Sequence, residues 1–247
     1  FVDADVIPNP DWVETALELI SNNPNAGAFE GRTEVTQRGR ATPFTHQTGN
    51  TEGGRYPTCN LIVRKNLAHF HQAYKIPFRE DTDLAFSILE SGYPIIFAFE
   101  LVVEHPPLKS SFTRPFILAR RYYYDGLLAR RFPARYHNEL DTHVILGLKI
   151  PHLKRKLFSI FMLSQIIFLI GIVAGFSGSE IMLFGVSYLA IFATIAAGGL
   201  RYANLKELSL KDWLLYFLQL QFLPWVMSYS LFRGWHDFRH EKKFSAH

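Results

Sequence analysis

Cysteine is nearly missing: Cys59 is the only one, so neither an intrachain disulfide nor a cysteine-based zinc site can form. A reducing, cytosol-facing compartment fits that composition. Charge is missing from two stretches, 157–176 and 181–200, each about 20 residues and enough for about 30 Å of hydrocarbon. Neither holds an ionisable side chain along which a transported ion or solute would pass, which counts against a transporter. Methionine is missing from position 1: the chain opens with Phe1, inside what reads as a strand, Phe1–Asp3. The expectation is that sequence precedes it, which leaves a signal peptide neither assigned nor excluded.

What is present is a 247-residue chain with 48% apolar residues, gathered after Leu157, and a formal charge of +4. A basic balance can mean nucleic acid, but these Lys and Arg residues crowd around the apolar segments, and a membrane flank explains them better. No nucleic-acid partner is expected. Only Ser177–Glu180 separates the two charge-free stretches, which predicts a hairpin with both outer ends on one side. Lys154–Arg155–Lys156 before it and Arg201, Lys206 and Lys211 after it place those ends in the cytoplasm. A third segment, Trp213–Phe232, is interrupted by Gln219, Gln221 and Pro224. It reads as crossing or interfacial, and the basic tail of Arg239, Lys242 and Lys243 favours an interfacial or re-entrant segment.

The part before the membrane region alternates strands and helices, which predicts an α/β fold. Asn9–Pro10–Asp11 reads as a helix start, with Asn9 as the cap, and Val13, Ala16, Leu17 and Ile20 on the buried face. Asn22–Asn23–Pro24 stops it. Strands are expected over Ala26–Val35, Leu61–Val63 and Ile95–Val103, with a mobile loop over Thr45–Tyr56. A helix is expected over Asp81–Ser91 with Leu84, Ala85, Ile88 and Leu89 inward, and another over Thr113–Phe132. The arginines of that last helix, Arg114, Arg120, Arg121, Arg130 and Arg131, fall on no single face. They read as interfacial anchors, or as cations that hold a diphosphate, with Arg120 and Arg121 the candidates.

Asp3-Ala-Asp5 ends an apolar strand and turns into a loop, where ligands of open α/β sheets bind. Two hard oxygen donors suit Mg²⁺ or Mn²⁺, although acids in a turn are commonly solvated or capping. Glu80–Asp81–Thr82–Asp83 opens a helix whose dipole favours negative charge; capping accounts for one of these acids, not three. A carboxylate there can take a proton from a hydroxyl nucleophile. His105 follows a strand and precedes Pro106–Pro107, where an exposed structural role competes with a metal or phosphate role.

These motifs, with Thr58–Cys59–Asn60–Leu61 between them and Arg79 to Ala85 as the last, resemble in order and spacing the family 2 glycosyltransferases. The resemblance implies a GT-A-like, Rossmann-like catalytic domain, N-terminally incomplete, over 1–135, followed by transmembrane helices over 136–247. It implies a membrane-anchored, inverting transferase that moves a sugar from a nucleotide-sugar donor to a hydroxyl of a saccharide or lipid-linked acceptor, with a divalent cation as cofactor. Asp81 would be the base, and Asp5 and His105 the metal ligands. Asp3 and Glu80 would contact substrate, and Asn60 would sit near the sugar. The setting implied is a bacterial-type inner or plasma membrane with the catalytic region facing the cytoplasm. No Gln-x-x-Arg-Trp follows Asp81, so the chain resembles single-addition transferases more than processive synthases. The competing expectation is a membrane scaffold or accessory subunit that keeps the fold without the activity.

Overall fold

The computed structural model describes residues 1–35, 42–46, 48–140, 142–145, 148–151, 153–200 and 203–245. Arg201 of the basic flank and residue 47 of the expected loop lie outside them. The chain is mixed α/β, with a curled, half-barrel sheet of four strands and two long apolar helices.

The order is β1 (Ile7–Pro8), α1 (Trp12–Asn22), β2 (Ala28–Val35), β3 (Leu61–Val63), α2 (Glu80–Glu90) and β4 (Ile95–His105). The sheet runs β1-β4-β2-β3, with β2 and β4 parallel and the outer pairings antiparallel. Parallel pairing needs a crossover, and α2 lies within it. Leu84 and Ile88 of that helix close on Ala28 and Leu61, forming one core cluster. Phe1–Asp3 is not a strand of this sheet; Val2 makes a single antiparallel bridge to Asn60.

Helix α1 starts two residues later than expected, because the Asn9 carbonyl is spent in a turn to Trp12 N (3.0 Å), and Asp11 precedes the helix. Its buried face also differs. Apolar residues stand on both sides of this helix, and the sheet takes Trp12, Ala16 and Leu19, packed with Phe29 and Leu101. Val13, Leu17 and Ile20 are exposed. The rotation is fixed by Trp12 Nε1, which donates to Asn60 Oδ1 at 3.0 Å.

Between β2 and β4 the register slips. Gly31 faces Ala98 but Arg32 faces Val102, so Phe99–Leu101 form a bulge, a device that bends a sheet and re-aims its side chains. Asn60 holds it: Nδ2 donates to Leu101 O (2.8 Å) and Arg32 O (3.0 Å). Gly31 is glycine because a Cβ there would overlap the Asn60 amide.

The helix expected over 113–132 is broken into α3 (Arg114–Arg121), a turn at Tyr122–Tyr124, and α4 (Asp125–Arg131); Pro133 then opens α5 (Pro133–Glu139). The break lets Gly126 of α4 lie directly against the backbone of Gly234, and a Cβ on either glycine would strike the opposing backbone. A two-stranded ribbon, β5 (Thr142–Ile145) and β6 (Leu148–Pro151), leads into α6 (Leu153–Ala174), α7 (Gly178–Leu200) and α8 (Leu210–Asp237).

Among the described residues, α6 and α7 are the helices long and apolar enough to cross a membrane. They form the expected hairpin, turned by Gly175 at φ +71°. Helix α8 runs unbroken through Pro224 for 28 residues, about 42 Å at 1.5 Å per residue. Its polar interruptions face other helices: Gln221 Oε1 accepts from Tyr188 (2.5 Å) and Gln165 (3.1 Å), and Trp225 Nε1 donates to Gln165 Oε1 (2.7 Å). Polar side chains hydrogen-bonded across helices are typical glue in an apolar surrounding. Helix α8 also packs back on α3 and α4.

Candidate functional site

Asp3, Asp5, Glu80, Asp81, His105 and Arg121 line one cavity of about 360 Å³, within the usual range of small-molecule sites. The sheet and its connections bring them together. Val6, buried against Cys59 and Val103, pins the turn that carries Asp3 and Asp5. The end of β4 delivers His105, the start of α2 delivers Glu80 and Asp81, and α3 delivers Arg121. His46, Arg55, Arg79 and Arg114 complete the charged part of the wall.

The two acids of α2 are the most perturbed groups here. Burial, and then the charge of Asp81, push Glu80 from 4.5 up to about 7, and its Oε2 is buried without a hydrogen-bond partner. Burial also raises Asp81, against the pull of hydrogen bonds from Thr82 N (2.6 Å) and Thr82 Oγ1 (3.2 Å) and of the Arg79 charge. Two adjacent carboxyl groups, both raised by burial, titrate as a pair. A site of this kind can accept a proton at physiological pH.

Positive charge lines the same cavity, and that of Arg121 acts on Glu80. Arg121 Nε is buried and unpartnered, and the Arg114 guanidinium makes no ion pair among the described residues. Their presence is felt by His46, which burial, Arg121, Arg114 and His105 hold below the ordinary imidazole value. A neutral imidazole and two free guanidinium groups are suited to an anionic ligand. Cys59 also reaches the wall, but burial pushes its thiol up to about 11. It stays protonated near neutral pH and is not a nucleophile.

Arg79 is the residue the sequence did not flag. It occupies the left-handed region (φ +72°) just before α2, a conformation costing about 1–2 kcal/mol for a residue with a Cβ. Its Nε donates to Asp125 at 2.7 Å. Asp125 is fully buried on α4 and also accepts from Arg155 of α6 at 2.7 Å and from Tyr136 at 3.3 Å. The start of α2 is thereby tied to α6, the first apolar helix, through one carboxylate.

Among the described residues of the loop over 45–56 there is no helix or strand beyond an isolated bridge of Asn50 to Thr33, and its far end is fastened. Glu30, 2% exposed on β2, accepts from Asn50 Nδ2 (2.8 Å) and from the backbone N–H groups of Gly54, Arg55 and Tyr56 (2.8, 2.9 and 2.6 Å). Gly53 and Gly54 take φ +77° and +78° to present that row of donors. No sequence signal marked Glu30, since an acid in a strand reads as a solvent-facing position.

Two expected site residues stand elsewhere. Asn60, expected near the sugar, is buried behind the wall with its amide committed to Trp12 and the β4 bulge. Arg120 points away from Arg121, into a separate groove with Tyr123, Trp225 and Tyr229. Adjacent residues on a helix are about 100° apart, and on α3 that turn carries Arg120 to the second groove while Arg121 lines the cavity.

Among the described residues no group of three or more His, Cys, Asp or Glu side chains could hold a metal ion on its own. Asp3, Asp5 and His105 nonetheless share the wall, and Mg²⁺-type ions are commonly held by one or two carboxylates with substrate phosphates and water completing the shell. The donor set fits an ion shared with a ligand, not a closed protein cage. Asp83, the last acid of the cluster, is occupied structurally: Arg131 grips it bidentately (2.7 and 3.2 Å) and Tyr74 donates to it (3.1 Å).

Compared with protein-family models, curated proteins and solved structures, the chain gives no match.

Proposed function

We propose that this chain carries the transfer site of a membrane-anchored, inverting glycosyltransferase of GT-A type, which moves a sugar from a nucleotide-sugar donor to an acceptor hydroxyl. The observation that carries the reading is the meeting, in one cavity, of Asp3 and Asp5, the Glu80–Asp81 pair, His105 and Arg121. These residues are far apart in the chain, and their chemistry is complementary: a proton acceptor on one side, anion-binding groups on the other.

In the proposed reaction the acceptor oxygen forms a bond to the anomeric carbon as its proton passes to the Asp81 carboxylate. The anomeric carbon–oxygen bond to the nucleoside diphosphate breaks, and the electron pair leaves with the diphosphate. Arg114 and Arg121 offset the charge that develops there, an effect strong in a pocket shielded from water. A divalent cation on Asp5 and His105, with Asp3 on the donor ribose or the ion, would add Lewis-acid stabilisation of the leaving group. Glu80 stands beside the base, whose proton affinity burial holds high. The basic flanks of the α6–α7 hairpin favour a cytoplasmic catalytic face, where nucleotide sugars are available.

The test is release of nucleoside diphosphate from a panel of nucleotide sugars by the full-length protein in lipid vesicles, with and without Mn²⁺. Release with one donor class, lost on chelation, is expected. No release from any donor would leave the scaffold reading, and chelator-resistant release would remove the roles given to Asp5 and His105.

A further inference from the structure

A second cavity, of about 610 Å³, lies between α3 and the three long helices. Its walls are apolar: Leu118 and Ala119 from α3, Leu157 from α6, Ile195 and Gly198 from α7, Leu223 from α8. Two of these helices, α6 and α7, are the bilayer-compatible pair. The cavity is not isolated, because Arg114 and Leu118 line both it and the site cavity. A molecule lying in the groove therefore has one end beside Arg114, on the same wall as Asp81.

The groove's charges have one sign. Arg114 and Lys154 are its ionisable cations and no carboxylate lines it. Neither cation has an ion-pair partner among the described residues; the Lys154 ammonium lies 5.7 Å from the Tyr122 ring centroid and 5.9 Å from that of Phe158. Burying apolar wall and leaving cations unpaired at its end suits an amphipathic anion: hydrocarbon in the groove and phosphate at the cations.

We infer that this groove holds the hydrocarbon of an acceptor carried on a lipid phosphate, with the phosphate or diphosphate between Arg114 and Lys154 and a saccharide hydroxyl presented to Asp81. The inference rests on the transfer reading above and adds the acceptor's chemical class and the place where it lies. Groove and site then act as one continuous path, hydrocarbon on the membrane side and sugar on the catalytic side.

Gly198 allows a clean test, since a Cβ built there meets nothing within 4 Å; Gly198→Phe fills the groove without a backbone clash. The full-length protein in phosphatidylcholine vesicles is photolabelled with a trace of diazirine-bearing long-chain isoprenyl phosphate, and the labelled peptides are mapped. Labelling of the α7 and α8 segments that border the groove is expected, displaced by unlabelled isoprenyl phosphate and not by the isoprenol lacking phosphate. Gly198→Phe should reduce the displaceable label about tenfold, equivalent to losing a well-filled apolar contact. Lys154→Gln should reduce it about fivefold, as for one cation near an anionic headgroup. Labelling spread over the outer faces of α6 and α7 that phosphate does not displace is surrounding lipid and overturns the inference. Nucleoside diphosphate release, measured in the same vesicles with a saccharide-bearing isoprenyl phosphate as acceptor, separates the two readings. Release without groove labelling overturns the lipid site and leaves transfer standing; groove labelling without release from any donor overturns the acceptor role.

Discussion

Arg79 and Asp125 form an ion pair of 2.7 Å between a residue in left-handed backbone at the rim of the site and a carboxylate that is fully buried. The same carboxylate holds Arg155 of α6 at 2.7 Å. A buried acid shared by two guanidinium groups is costly to break from one side, because the charges left behind stay desolvated. Asp125→Asn is expected to destabilise the protein by about 3–5 kcal/mol. It should also lower nucleoside diphosphate release, since Arg79 would lose the ion pair that helps hold the strained conformation at the start of α2. Thermal unfolding in detergent and the release assay read the two effects. Unchanged values in both would reduce the pair to a surface-like contact.

Asp81→Asn removes the proposed base while keeping shape and most hydrogen bonds. Transfer to acceptor should fall by about 10²–10⁴-fold, the usual worth of a positioned general base, with nucleotide binding by calorimetry preserved. Equal loss of binding and turnover would instead mark Asp81 as part of the donor cradle.

The Glu80–Asp81 pair makes a pH prediction in two parts. Transfer needs the ionised base, so its rate should rise with pH along a limb displaced above the ordinary aspartate range, because burial raises Asp81. Glu80→Gln leaves that base in place, so the limb should persist in the variant. Stability moves the other way. Glu80 binds its proton more tightly folded (about 7) than at its ordinary value of 4.5, so the folded state holds more protons between these values. Stability therefore falls as pH rises through this window and levels off above it. Glu80→Gln should raise the unfolding free energy at pH 8 by an amount on the order of 1–2 kcal/mol after solvent screening, and change it little at pH 4. A rise of equal size at both values would trace the effect to packing.

How much of this was open to sequence reading depended on whether the pattern had one physical solution. The hairpin α6–α7 and strands β2 and β3 did: charge-free length and short apolar runs between turn signals admit few alternatives. Asp3, Asp5, Glu80, Asp81 and His105 meet in one cavity because their motifs sit at element ends, which an α/β sheet gathers at one edge. Helix α1 had two solutions. Apolar residues at Trp12, Val13, Ala16, Leu17, Leu19 and Ile20 support either face, and the choice was made by a distant hydrogen bond to Asn60. That same bond took Asn60 out of the site. The Thr113–Phe132 segment was read as one helix because nothing local announces that Gly126 must approach Gly234. Arg79 and Asp125 were illegible for a related reason, since their pairing spans 46 residues.

Glu30 offers a test of how the loop beside the site is held. A single buried carboxylate collects Asn50 and the N–H groups of Gly54, Arg55 and Tyr56, and Arg55 reaches the site cavity. Glu30→Gln keeps the volume but replaces one acceptor oxygen by a donor facing donors. The expected cost is about 2–3 kcal/mol, as for losing charge-assisted hydrogen bonds in a buried setting. Its signature should be local: amide exchange at 50–56 should speed by at least about tenfold, one such decade being 1.4 kcal/mol of local opening, while α6 and α7 stay protected. Donor binding should weaken with it, because Arg55 would lose its fixed backbone. Uniformly faster exchange across the sheet would mean instead that Glu30 supports β2 as a whole, and that the loop is anchored by other contacts.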